Sequence, residues 1–193
     1  MDGINIISFI ALIVSIAANS TATKGGLKKT VIKSERRPKT YLQKAPLNIS
    51  ALILIIQILG VFQIGTLNYS TELQYIRIVG VIVFVIFAWL QVYSFRNLKS
   101  FYSQYIAILK NHQLITTGIH KTVRHPQYIS QIISDLGMGF ALLGYLIIPL
   151  VIFIEFPLFI LRAKKEEKMM TEYFGEKFIE YKKTSGFIIP FIG

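Results

Sequence analysis

Cysteine is absent from the 193-residue chain. Its absence excludes disulfides, thiolate zinc sites and cysteine nucleophiles. Acidic residues are scarce as well: 10 Asp and Glu stand against 21 Lys and Arg, and the formal net charge is +11. A charge of this size is typical either of a nucleic-acid-binding protein or of a membrane protein whose cytoplasmic loops collect Lys and Arg. The positions of the basic residues decide between these two classes.

Long apolar stretches separate the basic ones, and 53% of the residues are hydrophobic. Because a membrane-spanning helix needs roughly 20 apolar residues, we predict an all-α integral membrane protein with about five transmembrane helices. The predicted spans are 4–18, 47–69, 75–95, 129–144 and 145–161. The last two form one block that is too long for a single crossing, so we predict a helical hairpin with its turn between Gly144 and Pro149.

Nearly all the basic residues lie in the segments between and after these spans. Twenty of the 21 lie in three segments, 20–46, 96–127 and 162–193. With five spans all three segments face one side, which the positive-inside rule assigns to the cytoplasm, and the N-terminus then lies outside. This distribution excludes a nucleic-acid partner and indicates contact with membrane lipids.

We therefore predict one membrane domain, residues 1–193. Its first part, 1–95, holds three N-terminal spans and a basic loop. Its second part, 96–193, holds the functional core, made of a cytoplasmic cofactor-binding loop, the hairpin and a C-terminal amphipathic helix. Within the cytoplasmic segments we predict a short interfacial helix over 97–109. A second amphipathic helix, or a pair of helices, is predicted over 169–183 from apolar residues three to four apart.

Polar residues precede the fourth span, in the stretch TTGIHKTVRHPQYISQ at 116–131. Pro126 suits the first turn of a helix. The loop from His112 to Arg124 would therefore bring side chains and backbone donors to a helix N-terminus, where a carboxylate or phosphate binds readily. Anchoring of the loop at the membrane interface explains the same residues equally well.

Two further pairs of residues are candidates for chemistry. Arg162 and Glu166 are four residues apart and share a helix face, as an exposed ion pair or as part of a site. Asp135 and Glu155 lie inside predicted spans, each roughly 14–17 Å from the cytoplasmic boundary at about 1.5 Å per residue. They could share a proton, or serve helix packing alone.

Common cofactor signatures are missing from the sequence. The histidines at 112, 120 and 125 have no acidic residue in the same loop, so we predict no metal site. The sequence also contains neither a phosphate-binding loop nor a GxGxxG motif.

Several motifs in the last 85 or so residues together resemble one family. They are Arg124-His125-Pro126-Gln127-Tyr128, an apolar hairpin, Glu166-Glu167, Phe174-Gly175 and Tyr181. This combination is similar to the isoprenylcysteine carboxyl methyltransferase family, with phospholipid methyltransferases as wider relatives. The resemblance implies an S-adenosylmethionine-dependent methyltransferase whose cofactor lies in a cytoplasmic pocket over the final hairpin.

The resemblance also implies roles for individual residues. Arg162 corresponds to a position on the substrate side, and Arg162 and Glu166 are the implied catalytic residues. His120 stands where the family usually has Tyr, which makes that contact the least certain. The implied cofactor-binding residues are His112, Gln113, Leu114, Ile115, His120, His125, Pro126, Gln127, Tyr128 and Glu166.

A lipophilic carboxylate is the acceptor that these residues favour. A carboxylate is ionised at neutral pH and needs no general base, and Arg162 is suited to holding it with two hydrogen bonds. The alternatives are a phospholipid or amine N-methyltransferase, a membrane reductase, and a non-enzymatic proton-coupled carrier that uses Asp135 and Glu155. The sequence does not indicate the oligomeric state.

Overall fold

The computed structural model describes residues 2–24, 34–98 and 101–192. The described part is mostly helical. Lys28, Lys29, Lys33 and Lys99, which entered the charge distribution above, lie outside the described residues. The helices and strands are α1 (Gly3–Thr23), β1 (Ser34–Arg36), α2 (Ala45–Val61), α3 (Gln74–Leu98), β2 (Ile108–Leu109), α4 (Pro126–Leu142), α5 (Ile147–Leu150), α6 (Phe156–Phe174) and α7 (Glu176–Thr184).

Four helices run alternately up and down, with their ends tied together at one side of the molecule. Asn5, at the start of α1, donates a hydrogen bond to the carbonyl of Val61 at the end of α2 (2.6 Å). Arg77, at the start of α3, donates to the carbonyl of Ala141 at the end of α4 (3.0 Å). Arg77 is 2% exposed and also pairs with Asp2, the residue that caps α1. These contacts stabilise the end of the bundle far from the basic segments.

Helices α3 and α4 pack against each other at very short backbone distance. A Cβ placed on Gly80 would lie 2.6 Å from the carbonyl oxygen of Gly137, and one on Gly137 would lie 2.7 Å from the backbone nitrogen of Phe84. Close approach through glycine is common between helices in membranes, because dispersion contacts replace the hydrophobic effect there. The α3–α4 pair positions the loop that precedes α4.

The predicted hairpin is present, although its turn differs in detail. Helix α4 ends at Leu142, and Leu143 adopts a left-handed conformation with φ of 51°. The chain returns as α5, a π-helical segment (Val151–Glu155) and α6, which form one continuous helix. Pro149 was expected to bracket the turn, but it lies inside α5. Proline is tolerated there because the first helical turn has no intrahelical partner for its missing N–H.

The π-helical segment has a local cause in Pro157. Proline cannot donate to the carbonyl four residues earlier, and its ring clashes with that carbonyl. The five residues Val151–Glu155 accordingly widen into π geometry just before it. π segments occur often at functional sites, and this one turns Glu155 into the interior, where it is fully buried.

The predicted interfacial helix over 97–109 is wrong. Helix α3 ends at Leu98, and Ile108–Leu109 form strand β2, which pairs antiparallel with β1. Residues 106–109 are all buried, and a short continuous apolar run does not distinguish a strand from a helix. The all-α prediction therefore misses a two-stranded sheet. The second predicted span also ends earlier than expected, at Val61 instead of residue 69.

The C-terminal prediction of one helix or two resolves into two. Gly175 has a φ of +57° and separates α6 from α7. The tail after α7 folds back, and the backbone nitrogens of Arg124 and His125 donate to the carbonyls of Gly186 (2.8 Å) and Phe187 (3.2 Å). The tail thereby fixes the loop just before α4.

Apolar side chains cover the outside of the bundle. Two described helical stretches, Gly3–Thr23 and Thr71–Leu98, are long and apolar enough to cross a membrane, and Ala45–Val61 is a shorter apolar helix. Large exposed side chains on α1 include Ile6, Ile10 and Ile13, each about half exposed. Such surfaces are costly in water and are typical of contact with lipid.

Candidate functional site

A cavity of about 510 Å³ lies where the polar loop meets the helices. One end is lined by the loop before α4, by the start of α4 and by α6 and α7. The other end reaches between α1, α2 and α3, with Leu12, Leu54 and Phe84 in its wall. We call this space the site cavity. It connects a polar region near the basic segments with the apolar interior of the bundle.

Arg162, Tyr128 and Glu166 form a hydrogen-bonded triangle in the wall of the site cavity. The Tyr128 hydroxyl donates to Glu166 Oε1 (2.6 Å) and accepts from Arg162 Nε (2.8 Å). Arg162 Nε also donates to Glu166 Oε1 (3.2 Å), as the four-residue spacing predicted. Since the Arg162 side chain is only 3% exposed, this pair is buried rather than a solvated surface pair.

The far end of the Arg162 side chain is only partly used. Nη2 donates to the backbone carbonyl of Gln104 (2.6 Å). Nη1 is buried and has no hydrogen-bond partner within residues 2–24, 34–98 and 101–192. A buried guanidinium nitrogen without an acceptor is costly. The site cavity is thus lined by a cation that has one donor group available for an anion.

Behind the triangle lies a second cluster of charges that braces the loop. Glu167 Oε1 accepts from Arg124 Nε (2.5 Å), and Glu167 Oε2 pairs with Lys182 on α7 (3.0 Å). His125 Nε2 lies 3.4 Å from Glu167 Oε1. Burial alone would raise the pKa of Glu167, but the neighbouring His125, Arg124 and Lys182 outweigh it and lower the pKa to about 2. Glu167 is therefore ionised at neutral pH and links the loop, α6 and α7.

Two histidines of the site cavity are uncharged at neutral pH. Burial lowers the pKa of His112 to about 4. Burial, together with the nearby His125, lowers the pKa of His120 to about 4. His112 stacks on the ring of Phe101 (5.4 Å between centroids), and His120 Nδ1 lies 2.9 Å from Asn97 Nδ2. Both rings are held by α3 or by the segment that follows it.

Ten of the eleven residues proposed from the sequence line the site cavity. They are His112, Gln113, Leu114, Ile115, His120, His125, Gln127, Tyr128, Arg162 and Glu166. Pro126 does not line it. Instead it forms the first residue of α4 and sets the position of the residues around it. Their roles in binding and catalysis stay predictions.

Sequence reasoning missed several residues of the site. Tyr102 lines the cavity, and burial raises its pKa to about 12. Gln104 holds Arg162 through its backbone carbonyl. Both lie in the stretch predicted as an interfacial helix, so that error concealed them. Arg124 and Glu167 belong to quoted motifs, but only the folded chain brings them together.

Asp135 and Glu155 lie near each other at the inner end of the site cavity, as their similar predicted depth suggested. Gln57 and Gln131 donate to Asp135 (2.8 and 2.5 Å), and Ser50 donates to Glu155 (2.6 Å). Asp135 lines the site cavity, whereas Glu155 is buried behind it. The acids tie α2, α4 and the π segment together.

Comparison with known proteins agrees with this geometry. Residues 78–172, which run from α3 through the loop and hairpin into α6, match the model of the isoprenylcysteine carboxyl methyltransferase (ICMT) family. The predicted family resemblance is confirmed. The matched residues include most of the site cavity's polar wall.

Individual ICMT relatives support the assignment. The protein-S-isoprenylcysteine O-methyltransferase of Saccharomyces cerevisiae is 28% identical over 127 residues, 65% of this chain and 53% of the relative. The enzyme of the same name from Tribolium castaneum is 32% identical over 82 residues, 42% of this chain and 29% of the relative. The chain thus spans about half, or less, of the length of these ICMT relatives.

A solved structure shows the same fold. The eukaryotic intramembrane Ras methyltransferase ICMT superposes with a TM-score of 0.67, covering 100% of this chain and 69% of that one, at 19% sequence identity. The mostly helical ICMT fold predicted from the sequence is therefore confirmed.

Proposed function

We propose that this chain is an S-adenosylmethionine-dependent methyltransferase that acts on the carboxylate of a lipophilic acceptor. The observation that carries the proposal is the free Nη1 donor of Arg162, buried beside Tyr128 and Glu166 in a cavity that continues between apolar helices. A carboxylate would satisfy this donor, and the chain of the acceptor would follow the cavity toward α1, α2 and α3.

The residues of the site cavity fit a sulfonium cofactor. The Glu166 carboxylate attracts a cation, and the uncharged His112 and His120 do not repel one. The ring of Tyr102 adds an aromatic surface of the kind that binds onium groups. When bound, S-adenosylmethionine would supply an electrophilic methyl group. The chain itself would provide binding, orientation and exclusion of water, which together lower a barrier by several kcal/mol.

Tyr128 and Arg162 have distinct parts in this proposal. Tyr128 bridges the residue assigned to the cofactor, Glu166, and the residue assigned to the acceptor, Arg162. It would thus fix the distance between the two substrates. A carboxylate oxygen would attack the methyl carbon, the bond from carbon to sulfur would break, and neutral sulfide and methyl ester would result. No proton has to move, which agrees with a wall that offers hydrogen-bond donors to the acceptor.

An amine acceptor fits the same wall less well. A neutral amine needs a group to take its proton, and the buried Arg162 would oppose the ammonium that forms. A proton-coupled carrier built on Asp135 and Glu155 is also disfavoured, because Gln57, Gln131 and Ser50 already hydrogen-bond these acids. That carrier predicts loss of function in Asp135→Asn and none in Glu166→Ala; the methyltransferase predicts that Glu166→Ala is the damaging change.

Binding of S-adenosylhomocysteine to the purified chain in nanodiscs tests the proposal. We expect saturable binding by the wild type and a loss of at least about tenfold in Glu166→Ala, since one charged hydrogen-bonding partner contributes about 1.5–3 kcal/mol. Glu180→Ala is the matched control, because Glu180 is exposed on α7. Stabilisation by NADPH instead would favour a reductase. Absence of S-adenosylhomocysteine binding in the wild type would contradict the proposal.

We also propose five membrane crossings, with the N-terminus outside and the C-terminus in the cytoplasm. The alternating directions of α1 to α4 and the position of the basic residues on one side support this topology. Because the chain has no cysteine, single introduced cysteines can report it. An impermeant thiol reagent applied to whole cells should label Ser70→Cys and not Lys183→Cys. The reverse pattern would invert the topology.

A further inference from the structure

A second recess, separate from the site cavity, lies between the segment after β1 and the outer face of α6. It measures about 370 Å³ and is lined by Arg36, Arg37, Pro38, Lys165, Lys168, Met169 and Glu172. We call it the basic groove. Four cations and one carboxylate give it a net charge of three positive units. The methyltransferase proposal makes no use of it.

Two of the four cations of the basic groove lie over aromatic rings. Arg37 lies over the ring of Tyr105 (4.2 Å from Cζ to the centroid), and Arg36 lies near the ring of Tyr173 (5.9 Å). Within residues 34–98 and 101–192, no Asp or Glu oxygen lies within ion-pairing distance of Arg36, Arg37, Lys165 or Lys168. A guanidinium that is oriented by an aromatic ring keeps its planar set of donors free for an anion.

The backbone around the two arginines is held as well. Strand β1 pairs with β2 in the register Arg36 to Ile108. Gln43 donates to the carbonyls of Pro38 (2.9 Å) and Ile106 (3.0 Å) and accepts from the backbone nitrogen of Ile106 (2.9 Å). The arginines are therefore presented from an anchored segment, which reduces the entropy lost when they bind a ligand.

The basic groove lies at the level of lipid headgroups. Leu161, the last large exposed apolar residue before the charged part of α6, is 45% exposed. Lys165 is four residues and Lys168 seven residues further on, which at 1.5 Å per residue is about 6 and 10 Å along the helix. A membrane lipid can thus place its headgroup in the groove while its acyl chains remain beside the apolar helices.

We propose that the basic groove binds the phosphomonoester headgroup of an anionic membrane lipid. A phosphomonoester carries nearly two negative charges at neutral pH and three acceptor oxygens, which matches two arginines and two lysines better than a singly charged phosphodiester does. Glu172 is the one acidic residue among those that line the groove. Met169 lines both the basic groove and the site cavity, so the bound lipid lies next to the helix that carries Arg162 and Glu166.

Native mass spectrometry of the whole chain, presented with equal amounts of dioleoyl phosphatidic acid and dioleoyl phosphatidylglycerol, tests this proposal. We expect a preference for phosphatidic acid of about tenfold, which corresponds to about 1.4 kcal/mol. Arg36→Gln combined with Lys168→Gln should remove the preference. Lys177→Gln combined with Lys183→Gln, the same charge change at exposed positions of α7, should preserve it.

Four results would overturn the assignment. Equal binding of the two lipids would mean that surface charge alone attracts them. Equal loss of preference in both double variants would place the lipid elsewhere. Displacement of phosphatidic acid by millimolar inorganic phosphate would make the groove a site for free phosphate. If the double variant unfolds in detergent, Lys168→Gln alone, at an exposed position, should still lower the preference. An unchanged preference in that single variant would contradict the proposal.

Discussion

Removal of one hydroxyl group, in Tyr128→Phe, probes the central geometry of the site. The ring keeps its stacking on Phe159 (4.8 Å between centroids) and on His125 (5.5 Å), so the fold should survive. The variant loses the hydrogen bond donated to Glu166 and the one accepted from Arg162. Arg162 Nε retains Glu166 at 3.2 Å, so the net loss is close to one charged hydrogen bond.

A hydrogen bond of this kind contributes about 1.5–3 kcal/mol. If the bond serves to align donor and acceptor, kcat/KM for the acceptor should fall by about ten- to a hundredfold, at 1.36 kcal/mol for each factor of ten. Binding of S-adenosylhomocysteine should weaken less, because Glu166 remains. The assay is transfer of labelled methyl groups by the purified chain in nanodiscs, with thermal unfolding measured in parallel.

Tyr93→Phe is the control for this experiment, since Tyr93 is half exposed on the outer face of α3. It removes the same atom at a distance from the site cavity and should leave kcat/KM unchanged. The reasoning is refuted if Tyr128→Phe retains full kcat/KM. It is also refuted if kcat/KM falls only in proportion to a loss of folded protein, because the hydroxyl would then serve stability alone.

Three other variants test Arg162, the Glu167 cluster and the packing of α3 on α4. Arg162→Lys, which loses the planar set of donors, should raise the acceptor KM at least about tenfold and leave S-adenosylhomocysteine affinity within about threefold, as measured by steady-state kinetics and calorimetry. Glu167→Gln should lower stability at pH 7 by about 3 kcal/mol, because the buried guanidinium of Arg124 loses its carboxylate counter-charge. The pKa of Glu167 falls from 4.5 to about 2 on folding. Its contribution to the free energy of unfolding is therefore complete above pH 4.5 and disappears toward pH 2. Denaturant titrations should show the free energies of unfolding of wild type and variant converging over that range. Gly80→Ala should destabilise the chain by about 1–3 kcal/mol, since its Cβ would lie 2.5 Å from the backbone nitrogen of Ala141; Gly3→Ala, with nothing within 4 Å, is the control in a thermal-shift assay.

Much of the fold could be predicted because apolar length and charge position are properties of the chain itself. The hairpin, the start of α4 at Pro126 and the helix break near Gly175 carry local signals in proline, glycine and apolar spacing. The end of α2 carries no such signal. Residues 62–69 continue without a charged residue, and the distant Asn5 donates a hydrogen bond to the carbonyl of Val61. Tertiary contacts of this kind leave no local pattern.

The small sheet was missed for the same reason. Strand β2 pairs with β1 from more than 70 residues earlier, and its apolar run by itself fits a helix equally well. The site was predictable only where motifs lie close in sequence. Arg162 and Glu166 are four residues apart, whereas Arg124 and Glu167 meet through the hairpin and Tyr102 enters from the misassigned segment. The proposed roles of all these residues stay predictions.

The most direct test of the account is methyl transfer itself. The purified chain in nanodiscs would be incubated with S-adenosylmethionine labelled at the methyl group and with a total lipid extract, and the labelled lipid would then be treated with base. The account predicts label in the lipid fraction that base releases as methanol, as expected of a methyl ester, and no transfer by Glu166→Ala. Label that resists base would indicate an amine acceptor and contradict the carboxylate assignment. If the wild type binds S-adenosylhomocysteine but transfers no label to the lipid extract, that result would contradict a lipophilic acceptor.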